Sequence, residues 1–174
     1  MRTDSKYKIE FAGLKIGIHQ FNFNADKKFF DRFNFSDFND VCVNIDIDLT
    51  KKSTLLELDF ILKGNVNLNC DLTNEPFDYK IKHKDSIVVK FGQDYNDEDD
   101  EILVLPHGEH KLYVDQYIFE LIVLSLPPKR IHPGVEDGTL KSEILDILED
   151  LKPKENSNLA DPRWEQLKKF KKIK

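Results

Sequence analysis

Apolar and polar residues alternate with a period of two through much of the first hundred positions. Val41, Val43, Ile45, Ile47 and Leu49 are interleaved with Cys42, Asn44, Asp46 and Asp48, which predicts a strand with one buried and one wet face. Leu56, Leu58, Phe60 and Leu62 repeat the pattern. Gly64-Asn65 then offers a turn or bulge, after which Val66, Leu68 and Cys70 resume the alternation. Upstream, Leu14, Ile16 and Ile18 give way to Phe21 and Phe23 set between Gln20, Asn22 and Asn24. The apolar positions therefore change face near His19, which predicts a bulge or bend. Phe77, Tyr79 and Ile81 predict a further strand, and Ile87-Val88-Val89-Lys90-Phe91 reads as one buried on both faces.

Helical signals follow the strands. Asp115 is placed to cap a helix with Ile118, Leu121, Ile122 and Ser125 on one side, and Leu126-Pro127-Pro128 stops it. Ser142 caps a second helix with an apolar stripe of Ile144, Leu145 and Leu148. Asp161 caps a third, with Pro162 at the first helical position, where its missing N–H costs nothing. Trp164 and Leu167 share a face of this last helix, which at about 13 residues is marginal alone in water and depends on docking for order. Strands first and helices last predict an α+β fold: a predominantly antiparallel sheet, or a partly open barrel or sandwich, with C-terminal helices. The expected organisation is a β-rich domain over residues 1–151, a polar linker over 152–160 and a basic helical arm over 161–174.

Composition narrows the class. The 174 residues are 40% hydrophobic and 33% charged, which suits one globular domain with an appendage. No apolar run approaches the ~18–20 residues needed to span a bilayer. The start, Met1-Arg2-Thr3-Asp4-Ser5-Lys6, lacks the apolar stretch of a signal peptide, so a cytoplasmic protein is expected. Cys42 and Cys70 are then expected as free thiols. Charge is unevenly spread. From Pro162 onward there are six Lys/Arg and one Glu, so that the net charge of −6 for the whole chain leaves −11 on residues 1–161. A basic arm on an acidic body points to a polyanionic partner.

Candidate chemistry is sparse. His107-Gly108-Glu109-His110 lacks the helical spacing of a zinc-protease motif and reads as a surface turn. The acidic run from Asp94 to Glu101 has Asp99 and Leu105 where a calcium loop would need Gly and Glu, so a solvated hairpin loop is expected. Phosphate-binding glycine loops and nucleophile elbows are absent from the sequence. Glu10, Glu57 and Glu120 are isolated carboxylates. Glu120, inside an apolar helix, reads either as a solvent-facing residue or as a buried one. No cofactor, metal or catalytic residue is expected.

Basic residues collect in three places. Lys80, Lys82 and Lys84 alternate along a strand and project from one face, where they can track a phosphate backbone or simply form a wet surface. Lys129, Arg130 and His132 form a second group. Arg163, Lys168, Lys169, Lys171 and Lys172 form the third, in which Trp164 adds a ring that either stacks on a base or is buried against the body.

Three segments together resemble the YceD-type proteins, bacterial relatives of plastid factors associated with accumulation of large-subunit ribosomal RNA. They are Gly64 to Thr73, ending Cys70-Asp71-Leu72-Thr73; Tyr117-x-x-Glu120-x-x-x-Leu124-x-Leu126-Pro127, leading to His132; and Asp161-Pro162-Arg163-Trp164-x-x-Leu167. The resemblance implies a cytoplasmic ribosome-biogenesis factor. Many such proteins carry Cys-x-x-Cys where this chain has Cys70 to Thr73, and some a second pair beyond the Leu-Pro segment. Here Thr73 replaces the second cysteine and none follows Cys70, so a four-thiolate zinc site is impossible within one chain. The two loops such a site would join must be held by packing and hydrogen bonds, with Asp71 and Thr73 as turn formers.

The expected function is therefore non-enzymatic support of large-subunit rRNA through contact with the RNA or with a ribosomal protein, with neither membrane nor small molecule involved. The rivals are an acidic adaptor for a basic ribosomal protein and, ranked lower, an enzyme of unknown reaction.

Overall fold

The alternation forms a five-stranded sheet in the computed structural model, which describes residues 6–99 and 101–151. In chain order the elements are β1 (Lys8–Glu10), β2 (Gly17–Asp26), α1 (Lys27–Asp31), β3 (Asp40–Lys51), β4 (Leu55–Asn69), β5 (Pro76–Gly92), β6 (Ile102–Pro106), β7 (Lys111–Tyr113), α2 (Asp115–Leu124), α3 (Pro133–Glu136) and α4 (Glu143–Asp150). The sheet order is β2-β3-β4-β5-β6, with β1 and β7 paired separately. The fold is α+β and mostly antiparallel, and the sheet stays open, with β2 and β6 at its edges. The chain divides into two compact units, Met1–Leu140, which holds every strand, and Lys141–Lys174, which holds α4.

Side-chain parity does the sorting. Val41, Val43, Ile45, Ile47 and Leu49 of β3, Leu56, Leu58, Phe60 and Leu62 of β4, and Phe77, Ile81, Ile87 and Val89 of β5 are buried on one face. Each full burial of this kind contributes about 1.5–3 kcal/mol. That inner face is covered by Ile118, Leu121 and Ile122 of α2, by Ile9 and Leu112 of the β1–β7 pair, and by α1. Asp26 caps α1 by accepting a hydrogen bond from the Phe29 N–H at 3.0 Å. Phe29 and Phe30 then enter an aromatic cluster with Phe33, Phe35, Phe38 and Phe119, in which the Phe33 and Phe119 rings stack at 4.4 Å.

Several sequence expectations change. Gly64-Asn65 is neither turn nor bulge: β4 runs through it in unbroken register with β3. A Cβ at Gly64 would meet the Cys42 carbonyl oxygen at 2.2 Å, so glycine here allows two backbones to approach closely. The register of β2 is also unbroken at His19; Ile16 and Ile18 lie 71% exposed instead of changing the strand's face. The two strands expected around Ile81 and Ile87 are one 17-residue strand, β5, whose Val88 and Lys90 face outward. Asp115 is the first residue of α2; the cap position belongs to Val114. Ser142 does occupy the cap position of α4, without a side-chain bond, and Ile144 and Leu148 on that helix are exposed.

The Asp94–Glu101 segment is not a hairpin, because β6 runs parallel to β5. After Gly92 the chain turns back so that Asn96 pairs antiparallel with Val104, and β6 is inserted between β5 and this returning stretch. Within the segment, Asn96 Oδ1 accepts from the Glu98 N–H and Asp99 Oδ1 from the Glu101 N–H, both at 2.9 Å.

Candidate nucleic-acid interface

The face of the sheet opposite the core is mostly polar, with Ile18, Ile61 and Val88 among its few aliphatic residues. On its β2–β3 half, Gln20 Nε2 donates to Asp48 Oδ1 and Asn24 Nδ2 to Asn44 Oδ1, each at 2.9 Å, while Asn22 donates to Asp46. At one end, Asn39 donates to Asn67 and Asn69, and Asn67 in turn donates to Asp78 at 2.7 Å. These cross-strand pairs satisfy Asp46, Asp48 and Asp78 with neutral carboxamides.

Lys80, Lys82 and Lys84 are exposed on the same face of β5, as their alternation predicted, and Tyr79 and Ile81 point the other way. The register adds a fourth residue: Lys63 of β4, also exposed, lies directly opposite Lys82. Among the described residues none of these four lysines makes an ion pair. Like charges facing each other across a ladder are destabilising, so this arrangement costs the fold a little. Parity along β4 shows that Lys63 points outward, but only the strand register places it against Lys82.

The second basic group has a different character. Arg130 is half-buried; its guanidinium lies 3.4 Å from Asp37 Oδ2, and its backbone is joined to the Cys70–Thr73 turn. The Asp71 N–H donates to the Arg130 carbonyl at 2.8 Å, and the Arg130 N–H donates to Asp71 Oδ2 at 2.7 Å. The His132 N–H donates to Cys70 Sγ at 3.3 Å, and His132 Nδ1 accepts from the Gly134 N–H at 2.9 Å. Asn74, in the left-handed region at φ 58°, closes the turn with its N–H on the Cys70 carbonyl. Two loops distant in sequence are thus joined by a set of hydrogen bonds centred on Cys70 and Asp71. Burial pushes the Cys70 thiol up, but the Thr73 hydroxyl and the backbone N–H groups of His132, Leu72 and Thr73 outweigh it, and the thiol titrates below its ordinary value. Thr73 is buried and Leu72 exposed. Of this basic group only Lys129 is fully exposed.

The remaining sequence candidates are dispersed. Glu120 faces solvent and accepts from Gln116 Nε2 at 2.9 Å; Pro127 is half-buried after α2. His107 and His110 are exposed on the β6–β7 turn, where Gly108 takes a φ of 101°. Cys42 lies on the outer face and Cys70 is buried, both free. Among the described residues no three His, Cys, Asp or Glu side chains form a metal-binding group. A cleft of about 430 Å³ beside α2 is walled by Tyr95, Tyr113 and Tyr117 with Leu103, Leu105 and Leu112. Burial, followed by the charges of Tyr95, Asp97 and Glu120, holds the Tyr117 phenol protonated far above its ordinary range. Asp161, Pro162, Arg163, Trp164, Lys168 and Lys169 lie outside the described residues.

The family model described as large ribosomal RNA subunit accumulation protein YceD matches residues 58–171, from near the start of β4 through the lysine stripe and the Cys70–His132 junction. The chain belongs to the YceD family. That membership places it in ribosome biogenesis, in the accumulation of large-subunit rRNA. Among curated proteins and among solved structures, nothing matches the chain. All five outward lysines of β4 and β5, Lys63, Lys80, Lys82, Lys84 and Lys90, fall within the YceD match, whereas β2 and β3 precede it. No described helix is long and apolar enough to cross a membrane.

Proposed function

We propose that this YceD-family chain is a non-catalytic, cytoplasmic factor that supports large-subunit rRNA by contacting the RNA directly, through the outer face of β4 and β5 together with the basic segment 161–174. The observation that carries this reading is the patch of Lys63, Lys80, Lys82 and Lys84: four exposed ammonium groups without ion-pair partners among the described residues, two of them facing each other. Such a patch is electrostatically unfavourable alone and favourable against phosphates, whose neutralisation releases counterions. Lys129 adds a further exposed charge, Arg163, Lys168 and Lys169 supply the arm's phosphate contacts, and Trp164 supplies a stacking ring. Arg130 and His132, held by Asp37, Asp71 and Cys70, keep a loop in place.

The test is binding of the purified protein to large-subunit precursor RNA over a salt series, for the full chain, a chain lacking residues 161–174, and a Lys63→Ala/Lys82→Ala variant. Each change is expected to weaken binding and to flatten its salt dependence, by about 0.7–0.9 log units of slope per lost phosphate contact. Binding indifferent to all of these changes would overturn contact through this face and the arm, and no binding by the full chain would sink direct contact. A second reading, an adaptor for a basic ribosomal protein, is favoured by Asp85, Asp97, Asp99 and Glu120, which line one groove beside α2. Crosslinks to protein in the absence of RNA would support it.

A further inference from the structure

Aromatic side chains on strands β2 to β5 all share one parity. Phe21 and Phe23 of β2, Phe60 of β4, and Phe77, Tyr79 and Phe91 of β5 belong to the inner face, packed in or against the core. The same four strands contain no arginine. The outer face is therefore built of carboxamides, carboxylates, lysines and a few aliphatic residues such as Ile18 and Ile61. An unpaired nucleic-acid strand is held chiefly by stacking its bases on aromatic rings or guanidinium planes. This face has neither.

What it does carry matches the exterior of a double helix. Lys80, Lys82 and Lys84 repeat every second residue, so their Cα positions span about 13 Å along β5, and Lys63 stands about 5 Å beside the middle one. One row across the sheet runs Asn24, Asn44, Lys63, Lys82, and the next places Asn65 opposite Lys80. Ammonium groups serve as point charges for phosphates. Carboxamides both donate to and accept from hydroxyl groups, and an A-form duplex displays 2′-hydroxyls across a wide, shallow minor groove bordered by phosphates.

We infer that the outer face of the β4–β5 ladder docks on A-form RNA duplex, a paired segment of rRNA, and not on an unpaired strand. The inference rests on the RNA-contact reading above and narrows it to a substrate class.

The experiment uses full-length protein carrying Trp164→Ala, which removes the arm's stacking ring, and a second form that adds Lys63→Ala and Lys82→Ala. The probes are a 20-base-pair RNA duplex and two 20-nucleotide RNAs designed to stay unpaired, titrated at several salt concentrations. The duplex is expected to bind at least tenfold more tightly than either single strand. The two added substitutions should cost a further tenfold and reduce the salt slope by about 2. Thermal unfolding of each form shows whether a loss of binding reflects a loss of fold. Equal or tighter binding of the unpaired RNAs overturns the duplex inference while leaving RNA contact standing. Failure of both probes to bind, when the unsubstituted chain also fails, takes down the RNA reading and this inference together.

Discussion

The two faces of one sheet, separated by a single backbone thickness, are made of different materials. The inner face is aliphatic and aromatic and is covered by helices and a ribbon; the outer face is a lattice of carboxamides, carboxylates and lysines left open to water. Alternate residues along the same strand therefore answer to different demands. Substitutions one position apart should separate folding from binding.

The largest effect is expected inside. Phe60→Ala removes a fully buried ring from the centre of β4 and should cost about 3–5 kcal/mol in denaturant unfolding. A cost below 1 kcal/mol would mean that the inner face is not the core. Next comes the loop junction at the end of that strand. Asp71→Ala leaves the Arg130 N–H without its acceptor and should cost about 1 kcal/mol, with faster amide exchange at residues 130–132. On the outer face the sign reverses. Lys82→Ala relieves the opposition with Lys63 and should leave stability unchanged or raise it by about 0.2–1 kcal/mol, while weakening RNA binding. Clear destabilisation would break the division between the faces.

The smallest effect is a pH dependence at Cys70. Its thiol is lowered in the folded chain relative to the unfolded value near 9.0, so the unfolded state binds more protons between the two values. Stability from this group is complete above the unfolded value and is lost as pH falls through the folded one. The advantage of the parent over Cys70→Ser should therefore grow from pH 7 to pH 9. An advantage that shrank over this range would contradict the hydrogen-bond set around the sulfur.

How legible these faces were in the sequence follows from what alternation can encode. Parity within a strand is local, so the inner residues of β3, β4 and β5 and the outward Lys80, Lys82 and Lys84 of β5 could be read directly. Register is not local: nothing near Lys63 announces Lys82, nineteen positions on. Gly64 misled because a glycine needed for close approach looks the same as one needed for a turn. Lys84-Asp85-Ser86, exposed in mid-strand, made β5 look like two strands. The cluster of Phe29, Phe30, Phe33, Phe35, Phe38 and Phe119 was missed because most of its rings come from a short helix and the irregular stretch after it, where no period exists to detect. The parallel setting of β6 depends on a returning segment whose polar sequence suggests only a loop.

The place of β6 also implies an order of assembly. Strands β2 to β5 are joined by successive local pairings, each between neighbours in the chain, and can zip together one after another. β6 lies between the edge of β5 and a segment that precedes it in sequence, so its hydrogen bonds are expected to form last and open first. The five-residue strand is then the expected release point of the sheet: opening there would expose the edge of β5 from Val88 to Gly92 while the four-strand meander stays intact.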